Sequence, residues 1–156
     1  MWQLYMNSKT NYNLISRQLD ALLSGESDFI ANLSNASALL NENISNINWV
    51  GFYLMKNDAL ILGPFQGKPA CVHIQIGSGV CGTAVKQDAI QRVADVNTFP
   101  GHIACDANSQ SEIVLPLHKN GKVIGVLDID APVKNRFSHE DELGLQSVVN
   151  VLEHHL

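Results

Sequence analysis

Asn120-Gly121 stands between two apolar runs, Glu112 to His118 and Val123 to Asp130. Asn-Gly readily adopts the two positive-φ conformations that a tight β-hairpin turn demands. A chain with this signal is committed to an antiparallel strand pair near its C-terminal end. Register then decides which side chains share a face. A two-residue loop pairs Lys119 with Lys122 and sets Glu112 opposite Ile129, facing away from Asp128 and Asp130. A three-residue loop, with Gly121 in a bulge position, pairs His118 with Lys122 and sets Glu112 opposite Asp128, on the face of both aspartates. A shared acidic site therefore requires that bulge, or another doing the same job.

The rest of the chain supplies what such a hairpin packs against. Over Tyr12 to Leu23, apolar Leu14, Ile15, Leu19, Leu22 and Leu23 recur at helical spacing, and Gly25 stops the run. Ser27 is the expected N-cap of a second helix, striped by Phe29, Ile30, Leu33, Ala36, Leu39, Leu40 and Ile44. The first 46 residues thus read as helical. Ile47 to Met55 reads as a strand, turned by Asn57-Asp58 toward Ala59 to Leu62, and Pro64 with Gly67-Lys68-Pro69 marks a loop. Ala70 to Ile76 alternates like a strand, Val80 to Gln87 reads as a short helix capped by Ser78, and Ile90 to Val93 as a brief strand. Asp95 to Gln110 is irregular, a length usually found in functional loops. Ser138 opens a final helix with Asp141 as its capping-box partner, and Leu143, Val148, Val149, Val151 and Leu152 form its packing side. This order predicts one α+β domain over residues 1–156, its central, mostly antiparallel sheet packed by N-terminal and C-terminal helices.

Composition excludes several function classes. Hydrophobic residues at 46% and charged residues at 16% suit one soluble domain of 156 residues. Fifteen acids against ten scattered bases, net charge −5, offer no basic patch for nucleic acid. No apolar run approaches the roughly 18 residues that span a bilayer. Met1-Trp2-Gln3-Leu4-Tyr5 lacks the basic-then-apolar layout of a signal peptide, so a cytoplasmic protein is expected. Three cysteines, Cys71, Cys81 and Cys105, are an odd count that fits reduced thiols better than a secreted disulfide framework. With no CxxC or HxxxH spacing, no metal centre is expected.

Several residues have the chemistry of a site. Cys81 falls in the first turn of the short helix, where free N–H groups and the helix dipole favour a thiolate; tight packing around glycines is the other reading. Cys105 lies in the long loop beside Asp106 and near His102, a setting typical of reactive thiols. Cys71 starts a strand, with His73 and Gln75 on its face, and alone reads as a packing residue. Asp128 and Asp130 share one strand face, which costs stability unless a cation, a ligand or a shared proton relieves them, or unless the strand end is solvated. Glu112 on the partner strand can add a third carboxylate. Trp49, Gly51 and Tyr53 also share a face, either as core packing or as a wall for a small apolar group, with Gly51 leaving room for it.

Four stretches then carry a resemblance: Asn48-Trp49-Val50-Gly51-Phe52-Tyr53, Leu62-Gly63-Pro64-Phe65-Gln66-Gly67, Gly77-Ser78-Gly79-Val80-Cys81-Gly82-Thr83-Ala84 and Gly125-Val126-Leu127-Asp128-Ile129-Asp130. Together they closely resemble the free methionine-(R)-sulfoxide reductases, GAF-domain enzymes that reduce the R epimer of the free amino acid with electrons from thioredoxin. The likeness runs from about the second helix to the end and includes three cysteines spaced by 10 and 24 residues. It implies a GAF-like fold, Cys105 as catalytic cysteine and Cys71 as resolving cysteine, which displaces Cys81 as the first choice of nucleophile. Cys81 matches a third family cysteine that assists resolution or supports the site. Glu112, Asp128 and Asp130 match substrate-binding carboxylates, Glu112 also being a candidate proton donor, and Trp49 and Tyr53 match the aromatic wall. The implied chemistry is thiolate attack on the sulfoxide sulfur, a sulfenic acid on Cys105 and a Cys105–Cys71 disulfide opened by an external dithiol. It calls for no metal or organic cofactor and leaves homodimer formation open. A non-enzymatic GAF module that senses a small ligand is the rival reading, since fold does not fix function; it needs neither the cysteine set nor the acidic cluster.

Overall fold

Apolar residues three and four apart put Ile15, Leu19 and Leu23 on one buried side of helix α1 (Tyr12–Leu23), while Leu14 and Leu22 stay exposed. The computed structural model describes residues 9–103 and 105–156; Met1 to Tyr5, read above for a targeting signal, lies outside them. Helix α2 (Phe29–Asn43) is capped by Asp28, whose carboxylate accepts the Ala31 N–H at 2.8 Å. Ser27, the expected cap, sits one residue too early to reach that donor. The short helix α3 (Gly79–Gln87) follows Ser78, whose side chain makes no capping bond. Helix α4 (His139–Glu153) carries the expected capping box: the Asp141 N–H donates to Ser138 Oγ and the Ser138 N–H to Asp141 Oδ2. Its buried stripe is Leu145, Val148, Val149 and Leu152; Leu143 lies off that stripe and is 57% exposed. Among the described residues, no helix is long and apolar enough to cross a membrane.

Among the described residues, six strands form one antiparallel sheet in the order β3-β2-β1-β6-β5-β4. They are β1 (Trp49–Lys56), β2 (Ala59–Gly67), β3 (His73–Gln75), β4 (Gln91–Val93), β5 (Ser111–Lys119) and β6 (Lys122–Ala131). β2 continues through Pro64, where a loop was expected. The β1–β2 register shifts between Gly51 and Tyr53, and an irregularity of this kind tolerates a proline that cannot donate to the ladder. β3 is shorter than expected, so Cys71 precedes it instead of starting it.

The β5–β6 hairpin answers the register question in an unexpected way. Asn120 and Gly121 both take positive φ, 53° and 75°, and Lys119 pairs with Lys122, so the turn has two residues. The register then slips between His118↔Val123 and Leu117↔Gly125, leaving Ile124 as the extra residue. This bulge in β6 does the work first assigned to the turn. Beyond it Glu112 pairs with Asp130, and all three carboxylates share a face.

The sheet thereby acquires two different sides. Val50, Phe52 and Leu54, with Ile113, Leu115, Leu117, Leu127 and Ile129, pack under α1, α2 and α4 as the main core. Trp49, Tyr53, Val114 and Val126 point the other way, under α3, with Val80, Cys81 and Ala84. The carboxylates lie on this second side, lining one cavity with Cys81 of α3.

Candidate active site

Strand pairing alone sets the floor of the site. Cross-strand rows run Trp49–Asp130–Glu112 and, one step along, Gly51–Asp128–Val114. Glu112 and Asp128 are 7% and 5% exposed, and the Asp128 Oδ1 atom has no hydrogen-bond partner among the described residues. Burial raises the pKa of Glu112 well above the usual carboxylate range, reinforced by the charges of Asp128 and Asp130. Burial and the neighbouring Asp130 raise Asp128 in the same way. Asp130 is raised to about 6, mainly by burial, with Asp106 adding to it.

The aromatic side is built by β1 and β2. Trp49 stacks between Phe65, with ring centres 5.1 Å apart, and Tyr53 at 5.9 Å. Gly51 does not leave room for a ligand: a Cβ there would collide with Phe65 Cβ and the Pro64 carbonyl. The space belongs to the bulged β2 strand. Trp49 Nε1 donates to the Lys68 carbonyl at 3.2 Å, and the Tyr53 hydroxyl donates to the Cys71 carbonyl at 2.9 Å. Burial and the charge of Asp128 push the Tyr53 pKa up, so the hydroxyl keeps its proton for that bond. The wall residues therefore also hold the segment that carries Cys71.

The cysteines divide by environment. Cys71 and Cys105 form a disulfide with Cα atoms 5.6 Å apart, and Cys105 is exposed to solvent. Cys81 is a free thiol, 4% exposed. Burial first, and then the charges of Asp128, Glu112 and Asp130, raise its pKa. Burial, with the acidic floor beside it, therefore opposes the thiolate that the helix N-terminus favours. Trp49, Tyr53, Cys81, Cys105, Glu112, Asp128 and Asp130 all line one cavity; Cys71 is absent from its wall and joins it through the disulfide.

A family model described as GAF domain matches residues 25–156. The free methionine-R-sulfoxide reductase of Escherichia coli (strain K12) is 56% identical over 148 residues, covering 95% of this chain and 90% of that protein. The protein of the same name in Saccharomyces cerevisiae is 44% identical, covering 94% of this chain and 88% of that one. The fRMsr of Staphylococcus aureus, solved in complex with substrate, superposes with a TM-score of 0.92 at 58% identity, covering 96% of this chain and 97% of that one. The chain belongs to the GAF-domain family of free methionine-R-sulfoxide reductases.

For a member of that family, the positioning of Cys105 has a further structural basis. Asn48 Nδ2 donates to Asp106 Oδ2 and to Ser109 Oγ, both at 3.1 Å, and so pins the loop immediately after Cys105 to the start of β1. Sequence reasoning missed Asn48, Asp106 and Ser109 as site residues. An Asn just ahead of a strand was the available signal, but no periodicity marks it.

The acidic floor also sets a pH dependence of this reductase-family fold. In the unfolded chain an aspartate ionises near 4, whereas folded Asp130 holds its proton up to about pH 6. Between these values the folded state binds more protons, so the Asp130 contribution is fully present below about pH 4 and is lost as pH rises through 6. Urea denaturation of Asp130→Asn and the unaltered protein is expected to show the variant gaining relative stability from about pH 4 to about pH 6, by up to about 1.4 kcal/mol per pH unit. An equal stability difference at both values would contradict this origin.

Proposed function

We propose that the protein reduces free methionine-(R)-sulfoxide to methionine, with Cys105 as nucleophile and Cys71 as resolving thiol. One observation carries this reading: the Cys71–Cys105 disulfide stands at a cavity lined by three carboxylates, of which Glu112 and Asp128 are buried. The Cys105 thiolate attacks the sulfoxide sulfur while a protonated carboxyl delivers its proton to the sulfoxide oxygen. A sulfoxide is a poor electrophile until protonated, and acids with raised pKa values keep a proton near neutral pH. Methionine departs and the oxygen stays on Cys105 as a sulfenic acid. The Cys71 thiol condenses with it, releasing water and forming the disulfide. An external dithiol then opens that disulfide by exchange and is itself oxidised.

Thioredoxin is the proposed dithiol, and the exposure of Cys105 supports its access. The α-ammonium of the substrate is assigned to the acidic floor, and its methyl group to the Trp49 and Tyr53 rings. Homodimer formation belongs to the same reading, supported by exposed Leu14 and Leu22 on α1 and Leu143 on α4. The test is a thioredoxin-coupled assay that follows NADPH oxidation. Turnover is expected with the free R epimer and not with the S epimer; equal rates, or none with either, would overturn the proposal.

A further inference from the structure

The reaction above gives Cys81 no part, yet its thiol lies beside two carboxylates of the acidic floor. Cys81 Sγ and one carboxylate oxygen each of Glu112 and Asp128 lie within 4.8 Å of one another. They arrive from three separate elements, α3, β5 and β6, and all three residues are buried. Asp128 Oδ1, enclosed and without a hydrogen-bond partner among the described residues, is the atom most in need of a ligand. A substrate ammonium answers the carboxylates but has no use for sulfur. A borderline-soft divalent ion answers both, binding thiolate at about 2.3 Å and carboxylate oxygen at about 2.0–2.2 Å. Tetrahedral coordination at those lengths sets ligand atoms about 3.5 Å apart, inside the 4.8 Å that bounds these three.

We propose that Cys81, Glu112 and Asp128 form a binding site for a zinc-class divalent cation, with its fourth position open to the cavity. The sulfur donor discriminates against magnesium and calcium, which prefer oxygen alone. Neither Cys71 nor Cys105 is a ligand, so the site exists whether their disulfide is open or closed. Its two carboxylates are also those assigned to the substrate ammonium. Metal and substrate therefore exclude each other, and the ion acts as a reversible inhibitor. That exclusion rests on the proposed reductase reading; the binding itself does not.

The disulfide-closed protein isolates the question, because Cys81 is then its single free thiol. Cobalt(II) serves as the probe, since thiolate coordination gives it a charge-transfer absorption band that carboxylates and imidazoles do not. The expected result is a band saturating at one cobalt per chain and displaced by zinc. It is expected to be absent from Cys81→Ser and to need at least about tenfold more cobalt in Asp128→Asn or Glu112→Gln. Two carboxylate variants keep the test decisive should one fail to fold. No band in the unaltered protein, or a band that survives Cys81→Ser, would overturn the site. Methionine-(R)-sulfoxide, which the disulfide-closed protein cannot turn over, is expected to raise the apparent Kd for cobalt. A normal band with an unchanged apparent Kd would overturn the exclusion alone, while reductase turnover is measured separately.

Discussion

N-acetylation of methionine-(R)-sulfoxide is expected to lower kcat/KM by about 10⁴–10⁵. One proton donor suffices for sulfoxide reduction, so acid catalysis alone leaves the number of carboxylates unexplained. Glu112, Asp128 and Asp130 sit side by side on β5 and β6, where the charges of both aspartates raise the cost of ionising Glu112 and that of Asp130 raises the cost of ionising Asp128. A free amino acid brings an α-ammonium that offsets this repulsion through charge-assisted hydrogen bonds. An amide brings no charge and leaves the floor unpaired. A site built around a polar partner rejects the analogue that lacks it far more strongly than a hydrophobic pocket rejects a missing methylene. Steady-state kinetics on the free and N-acetylated R epimers measure this directly. Comparable kcat/KM values would remove the ammonium from the acidic floor, even with the cysteine chemistry intact.

Cys105→Ser is expected to reduce methionine release to background, even when enzyme exceeds substrate. A serine hydroxyl is not ionised near neutral pH and forms no sulfenic acid, so the first step is lost outright. Cys71→Ser is expected to behave differently. It retains the nucleophile, completes one turnover and stalls, with a sulfenic acid on Cys105 that a dimedone-type reagent can trap. Quantifying methionine per enzyme in the two variants separates the roles. One equivalent released by Cys105→Ser would reverse the assignment.

The extent to which this architecture is legible in the chain differs from element to element. The helices and the capping box of α4 follow from spacing, because a 3.6-residue stripe and a Ser–Asp pair are local properties. The parity that unites Glu112, Asp128 and Asp130 is legible only as a requirement. Its physical origin, the extra residue Ile124, is an apolar residue among apolar residues and bears no local mark. Gly51 shows the same limit in reverse: the glycine is visible, but Phe65, which fills its space, arrives from β2 through a register shift. Cys81 shows a local signal opposed by distant residues. A helix N-terminus favours a thiolate, while the burial that opposes it, and the acids that add to it, come from elements tens of residues further along. The pairing of Cys71 with Cys105 came from family resemblance, because nothing in the spacing of three cysteines selects one pair.

The most direct measurement is a single turnover of the fully reduced, unaltered protein with free methionine-(R)-sulfoxide and no added reductant. One equivalent of methionine per chain is expected, together with a Cys71–Cys105 disulfide identified by peptide mapping and a Cys81 thiol still open to alkylation after unfolding. Methionine released without that disulfide, or no methionine at all, would contradict the account of how this site works.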